Sequence, residues 1–165
     1  MQRLILMRHA QAMGSAAGGD IDRPLSERGQ TEALAMGRAL ADRGIRPDMA
    51  LVSAAVRTRQ TWDAVSEALG DVDLRLEERL YNASATTLRL AVEAAEEEAG
   101  CLLVMAHNPG IHELATDYLI ESAASPSVLE RFVPGFPTGA AAIFQVDVAG
   151  RCTFEGYLTP ADVLK

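Results

Sequence analysis

LILMRHAQA, residues 4–12, is an aliphatic run closed by an arginine and a histidine. With Arg3 before it, the run RLILM has the unbroken apolar character of a strand covered on both faces, as in a parallel sheet lying between helices. The Arg8-His9 pair that ends it is costly to desolvate, so the strand either reaches water there or meets an anion.

Two further runs repeat this pattern. MALVS (49–53) is followed by Arg57, and CLLVMAH (101–107) closes on His107-Asn108. Helical spacing fills the intervals. A helix over about 27–43 starts from Ser26 as N-cap and stops at Gly44, and VRTRQTWDAVSEALG (56–70) has apolar residues at Val56, Trp62, Val65 and Leu69. An Ala/Glu-rich helix is expected over 85–99 and another over 111–121, where Asn108 is a good N-cap and Pro109 a good first residue. DLRLEERL (73–80) alternates as a short strand does, and residues 122–138, with three prolines, read as an irregular excursion. AAAIFQVDV and TFEGYLT form a terminal antiparallel pair turned at Ala149-Gly150. The fold class is α/β: a three-layer α/β/α sandwich with a mostly parallel central sheet, expected as a single domain over 1–165.

In such sheets ligands bind beyond the carboxyl ends of the strands. That rule brings Arg8-His9, Ser53 with Arg57, and His107-Asn108 to one edge. The helix that starts near Pro109 aims its free N–H groups at the same edge. Two histidines, two arginines and a helix N-terminus describe a site for a dianionic phosphoryl group. Arg57 and Arg59 are two residues apart and face different ways on a helix, so at most one of them enters the site, and His112 reads as a solvated helix residue. Three histidines suggest a metal, but the adjacent arginines repel a cation and no carboxylate is spaced to help, so neither metal nor cofactor is expected.

The totals agree. A formal net charge of −8 opposes a nucleic-acid or anionic-membrane surface. Of the 15 basic residues only Lys165 is lysine, so the positive charge is nearly all guanidinium, the group suited to bidentate phosphate contacts. Cys101 and Cys152 lack metal-ligand spacing and read as reduced and buried, and the apolar segment before Arg8 is too short for a signal-peptide core or a membrane span. The expected compartment is the cytoplasm.

RHA (8–10), RPLSERGQTEA (23–33), SAAVRTRQT (53–61), VMAHNPGI (104–111) and FPTGAAAIF (136–144) resemble, in order, the motifs of the histidine phosphatase superfamily, also called phosphoglycerate mutase-like. More narrowly, they resemble its short SixA-type phosphohistidine phosphatase branch. The resemblance implies that His9 is a nucleophile forming a covalent phosphohistidine, and that Arg8, Arg57 and His107 bind the phosphoryl oxygens. It places Asp22 and Arg23 at the entrance and Thr138 on a loop near the pocket; Asn108, beside His107, is grouped with these substrate-binding residues. Neighbouring guanidinium groups would keep His9 neutral and able to attack.

The acidic residue that protonates an alkoxide in larger members of the superfamily has no clear counterpart; Glu77 and Glu78 are the nearest candidates. A phosphoramidate leaves more readily than an alkoxide, so the expected substrate is phosphohistidine on a phosphotransfer or phosphocarrier protein. The alternatives are a small phosphomonoester and a non-catalytic phosphohistidine-binding module.

Overall fold

The computed structural model describes residues 1–165. Its centre is β1 (Arg3–Arg8), whose Leu4, Ile5, Leu6 and Met7 are fully buried. Alternate side chains enter opposite layers. Leu4 and Leu6 join a cluster with Leu88, Leu102, Val104, Ile111, Leu114 and Phe144, while Ile5 and Met7 join Met36, Leu40, Trp62, Val65, Leu103 and Met105. An unbroken aliphatic run is thus what a two-sided strand requires.

Around β1 lie β2 (Met49–Ser53), β3 (Asp73–Glu77), β4 (Cys101–Ala106), β5 (Ala141–Val146) and β6 (Cys152–Leu158), in the order β3-β2-β4-β1-β5-β6. The first four are mutually parallel, and β5 and β6 run antiparallel as the expected terminal pair. Register brings the strand ends level: Arg8 pairs with Ala106 and Val52 with Met105. His9, Ser53 and His107 therefore leave the sheet side by side.

The helices are α1 (Glu27–Asp42), α2 (Val56–Ser66), α3 (Ala85–Ala94), α4 (Gly110–Glu121), α5 (Pro126–Phe132) and α6 (Pro160–Val163). α1 starts as expected, with Ser26 Oγ accepting the Gly29 N–H, and Gly44 follows its end at φ 70°. α1 and α2 pack so closely that a Cβ on Gly37 would lie 2.4 Å from the Val65 carbonyl oxygen. None of these helices is long and apolar enough to cross a membrane.

Several boundaries differ from the sequence reading. α2 ends at Ser66 rather than 70 and α3 at Ala94 rather than 99; the acidic run Glu96–Glu98 would sit against the negative end of the helix dipole. The alternating 73–80 segment is a strand only to Glu77, because a 3-10 turn over Glu78–Leu80 then buries Leu80. Residues 122–138 are not wholly irregular: Ser125 Oγ caps α5 and Pro126 opens it. Asn108 does not cap α4. The Asn108–Pro109 peptide is cis, Pro109 holds the N-cap position, and the Asn108 amide is bound elsewhere.

The close α1–α2 contact gives a test. Gly37→Ala should lower stability in urea denaturation by about 1–3 kcal/mol, because the added methyl meets backbone that cannot rotate away. An unchanged midpoint would show that the two helices separate freely.

Candidate active site

At the end of β1, His9 is 7 % exposed and its Nδ1 lies 2.7 Å from the Ala10 carbonyl oxygen. A carbonyl only accepts, so Nδ1 carries the proton and Nε2 keeps its lone pair. The backbone here is fastened on two sides. The Ala10 N–H donates to Thr61 Oγ1, which donates to the Arg57 carbonyl, and the Gly139 N–H donates to the His9 carbonyl. The imidazole is held by its surroundings, not by its own rotamer alone.

Arg57, on the first turn of α2, is 4 % exposed. Its Nη1 donates to the Asp20 carbonyl oxygen at 2.8 Å, and its Nη2 reaches Asp20 Oδ2 at 3.2 Å and His107 Nδ1 at 3.3 Å. A guanidinium has no acceptor, so His107 Nδ1 accepts; the His107 Nε2–H then donates to Ser53 Oγ at 2.7 Å. The His9 and His107 ring centroids are 5.4 Å apart. Asp20 is bound from three sides, since Tyr81 donates its hydroxyl to Oδ2 and Arg23 Nη1 reaches Oδ1 at 2.9 Å. Tyr81 also sets its ring edge-on to His107, at 5.5 Å between centroids.

On the other flank, Arg8 Nη1 and Asn108 Nδ2 both donate to the Phe136 carbonyl, at 3.1 and 2.9 Å. Arg8 and Asn108 border a groove of about 460 Å³ together with Arg131, Phe136, Tyr157 and Thr159. Arg8 Nε, Arg57 Nε and Asn108 Oδ1 are buried without a hydrogen-bond partner. Buried polar groups are normally satisfied, so three orphans at one strand edge set this region apart from an ordinary core.

The electrostatics favour an anion. Burial, with the charges of Arg8, Arg57 and Arg23, pushes His9 down to about 4, against the opposing pull of the Ala10 carbonyl. Burial, then His9 and Arg57, pushes His107 down to about 3. Asp20 is held well below the usual carboxylate range, first by the Tyr81 hydroxyl and then by Arg23 and Arg57. No group of three or more His, Cys, Asp or Glu side chains is placed to hold a metal ion.

Arg8, His9, Arg57 and His107, the four expected catalytic residues, thus come together. Arg23 joins them through Asp20. Asp22 does not: it is exposed and its carboxylate makes no hydrogen bond, because the 3-10 turn over Asp20–Asp22 brings the first acid of the pair to Arg57. Thr138 is half-buried without a side-chain hydrogen bond; its neighbour Gly139 makes the contact to the motif. His112 is half-buried rather than solvated, with Nε2 2.8 Å from the Phe132 carbonyl oxygen and its ring stacked on Phe136. Arg59 is exposed while Arg57 is buried, so of the two it is Arg57 that enters the site. Glu77 pairs with Arg79 at 3.4 Å, and Glu78 is exposed without a hydrogen bond. Asp20 and Tyr81 escaped the sequence reading. GGDIDRP offers two acids without ranking them, and nothing local marks the tyrosine of YNASA as reaching across to another loop.

The neutral imidazoles give a prediction in pH. Their folded values lie below the ordinary 6.5, so the unfolded chain takes up protons first. The stability they contribute is complete above pH 6.5. It is lost as pH falls through about 4 for His9 and about 3 for His107, at about 1.4 kcal/mol per pH unit for each over that window. Ring-nitrogen NMR should find both rings neutral at pH 5. Protonation of either ring near pH 6.5 would contradict this electrostatic account.

Known proteins resemble the chain in both sequence and structure. The family profile of the histidine phosphatase superfamily (branch 1) matches residues 4–100. An uncharacterised protein of Mycobacterium tuberculosis is 34 % identical over 140 residues, which cover 85 % of this chain and 87 % of the other. The crystal structure of a candidate phosphohistidine phosphatase SixA from Agrobacterium tumefaciens superposes with a TM-score of 0.83 at 33 % identity, covering 96 % of this chain and 98 % of that one. The protein histidine phosphatase SixA solved in complex with tungstate superposes with a TM-score of 0.81 at 25 % identity, covering 99 % of both chains. With this ordered motif set on this sheet edge, the chain belongs to the histidine phosphatase superfamily, branch 1, in its SixA-type group, and is a phosphatase.

Proposed function

We propose that residues 1–165 form one catalytic domain that hydrolyses phosphohistidine on a partner protein in the cytoplasm, without a metal ion, through a covalent phosphoryl group on His9. The carrying observation is the hydrogen-bond pattern of the site. His9 Nδ1 is bound to the Ala10 carbonyl, which leaves its Nε2 lone pair free, while the one carboxylate bound into the cluster, Asp20, is taken up by Tyr81, Arg23 and Arg57 as an acceptor and not as a proton donor.

In the first step the His9 Nε2 lone pair forms a bond to phosphorus as the phosphorus–nitrogen bond of the substrate breaks. The departing imidazole keeps that electron pair, and protonation of its own ring makes it a good leaving group. In the second step a water oxygen forms a bond to phosphorus as the bond to His9 breaks; the electron pair returns to Nε2, both water protons stay with the phosphate as H2PO4−, and His9 is restored neutral. Charge on the three equatorial oxygens is met by preplaced Arg8, half-buried, and Arg57, buried. His107 Nδ1 accepts from Arg57, so it must take a proton before it can donate to a phosphoryl oxygen; a dianion beside it favours that proton.

Phosphate release in EDTA tests this reading. Wild-type protein should act on a phosphohistidine-bearing protein at least about 100-fold better in kcat/KM than on p-nitrophenyl phosphate, equivalent to about 2.7 kcal/mol. His9→Ala should lose about 10⁴-fold or more, as expected for a nucleophile. Arg57→Lys, which keeps the charge but not the planar fork, should lose about 10²–10³-fold. Full activity in His9→Ala would end the proposal.

A second reading rests on Glu78, exposed on the turn that also carries Tyr81 toward the site. If Glu78 supplies a proton, the substrate is a small phosphomonoester. Glu78→Gln would then cut ester hydrolysis by about 10²-fold or more; the leading reading expects phosphohistidine turnover to survive that substitution.

A further inference from the structure

Asp20 occupies the nitrogens of Arg57 that a phosphoryl group needs. Nη1 donates to its carbonyl oxygen and Nη2 to its carboxylate, which leaves only the buried Nε without a partner. The carboxylate is completed by Tyr81 and Arg23, so three side chains converge on one anion beside His107. The arrangement is that of a bound oxyanion, supplied by the chain itself.

The segment carrying Asp20 is built to yield. No residue of its 3-10 turn is buried, the Asp20 side chain is about half exposed, and Gly18-Gly19 precedes it, with Gly19 at φ 94°. Arg57, by contrast, is locked into α2 under the sheet edge.

We propose that Asp20 is a resident competitor for the Arg57 guanidinium, displaced by each incoming phosphoryl group and returning as product phosphate departs, and therefore a determinant of both anion selectivity and product release. The proposal rests on Arg57 being a phosphoryl ligand, as in the function proposed above. Its physical basis is exchange at nearly constant charge. A monoanion that replaces the carboxylate brings no net gain in attraction, whereas a dianionic phosphoryl group brings one extra charge and more acceptor oxygens. The apparent affinity for any anion is lowered because Asp20 has swung away in only a small fraction of molecules, a reduction that removing its carboxylate relieves at Nη2.

The experiment is isothermal titration of inorganic phosphate into wild type, Asp20→Ala, Asp20→Asn and, as a charge control, Asp63→Asn on the exposed face of α2. Asp20→Ala should tighten phosphate binding by about tenfold or more, corresponding to about 1.4 kcal/mol. Asp20→Asn should tighten it less, since a neutral oxygen still competes, and Asp63→Asn should leave it unchanged. The inhibition constant of phosphate in turnover should fall in parallel. Equal or weaker binding by Asp20→Ala would overturn the proposal and make Asp20 a support for Arg57, and equal tightening by Asp63→Asn would reduce it to net charge. Arg57→Lys separates the two levels of the argument: phosphate affinity indifferent to that change would overturn Arg57 as the phosphoryl ligand itself.

Discussion

A guanidinium buried to 4 % exposure cannot rest on a protein scaffold without an anion nearby, and the burial of Arg57 is the constraint around which the site is arranged. Its terminal nitrogens are met by Asp20 from a surface turn and by the lone pair of His107, and its Nε by nothing. Arg8, partly buried on the other side of the strand ends, adds a second cation. Burial first, and then the two guanidinium groups at this edge, make imidazolium unfavourable there, which keeps His9 a nucleophile. With Arg23 they also outnumber Asp20, the one carboxylate bound into the cluster, and this excess of positive charge favours a phosphoryl ligand. One electrostatic decision serves both the attacking atom and the group attacked.

The scaffold converts that decision into geometry. Parallel pairing in register sets the ends of β1, β2 and β4 level, so His9, Ser53 and His107 emerge as neighbours without any of them having to reach. Thr61 ties α2 to the His9 backbone, the Ser53 hydroxyl orients His107, and the Phe136 carbonyl gathers Arg8 and Asn108. These contacts are short polar links to backbone or small side chains, well suited to holding reacting groups within a fraction of an ångström. The solvent-exposed share of the site falls to the turn at Asp20–Asp22, which has no buried residue.

What could be read in the sequence follows the range over which each signal acts. Unbroken aliphatic runs such as Leu4–Met7 and Leu102–Met105 report two-sided burial directly, and polar residues at their ends report the active edge once the sheet is known to be parallel. Ser26 and Gly44 marked the limits of α1 because caps act within one turn. The failures lie where a distant partner decides. Asn108 had the chemistry of a helix cap but bonds the Phe136 carbonyl instead, and His112 lies under α5, a helix whose Ser125-Pro126 start was passed over among three prolines. Asp20 and Asp22 are indistinguishable by composition. Only the turn that brings Asp20 to Arg57, with Tyr81 arriving from beyond β3, separates them.

The central claim is that the phosphoryl group passes through His9. Rapid mixing with a phosphohistidine-bearing protein labelled on phosphorus, followed by an alkaline quench and peptide mapping, tests it in one turnover. The account predicts an acid-labile, alkali-stable phosphoryl group on the peptide that carries His9, formed and discharged before phosphate accumulates to completion, and absent in His9→Ala. Phosphate released with no labelled enzyme at any time, or label on His107 or His112, would contradict it.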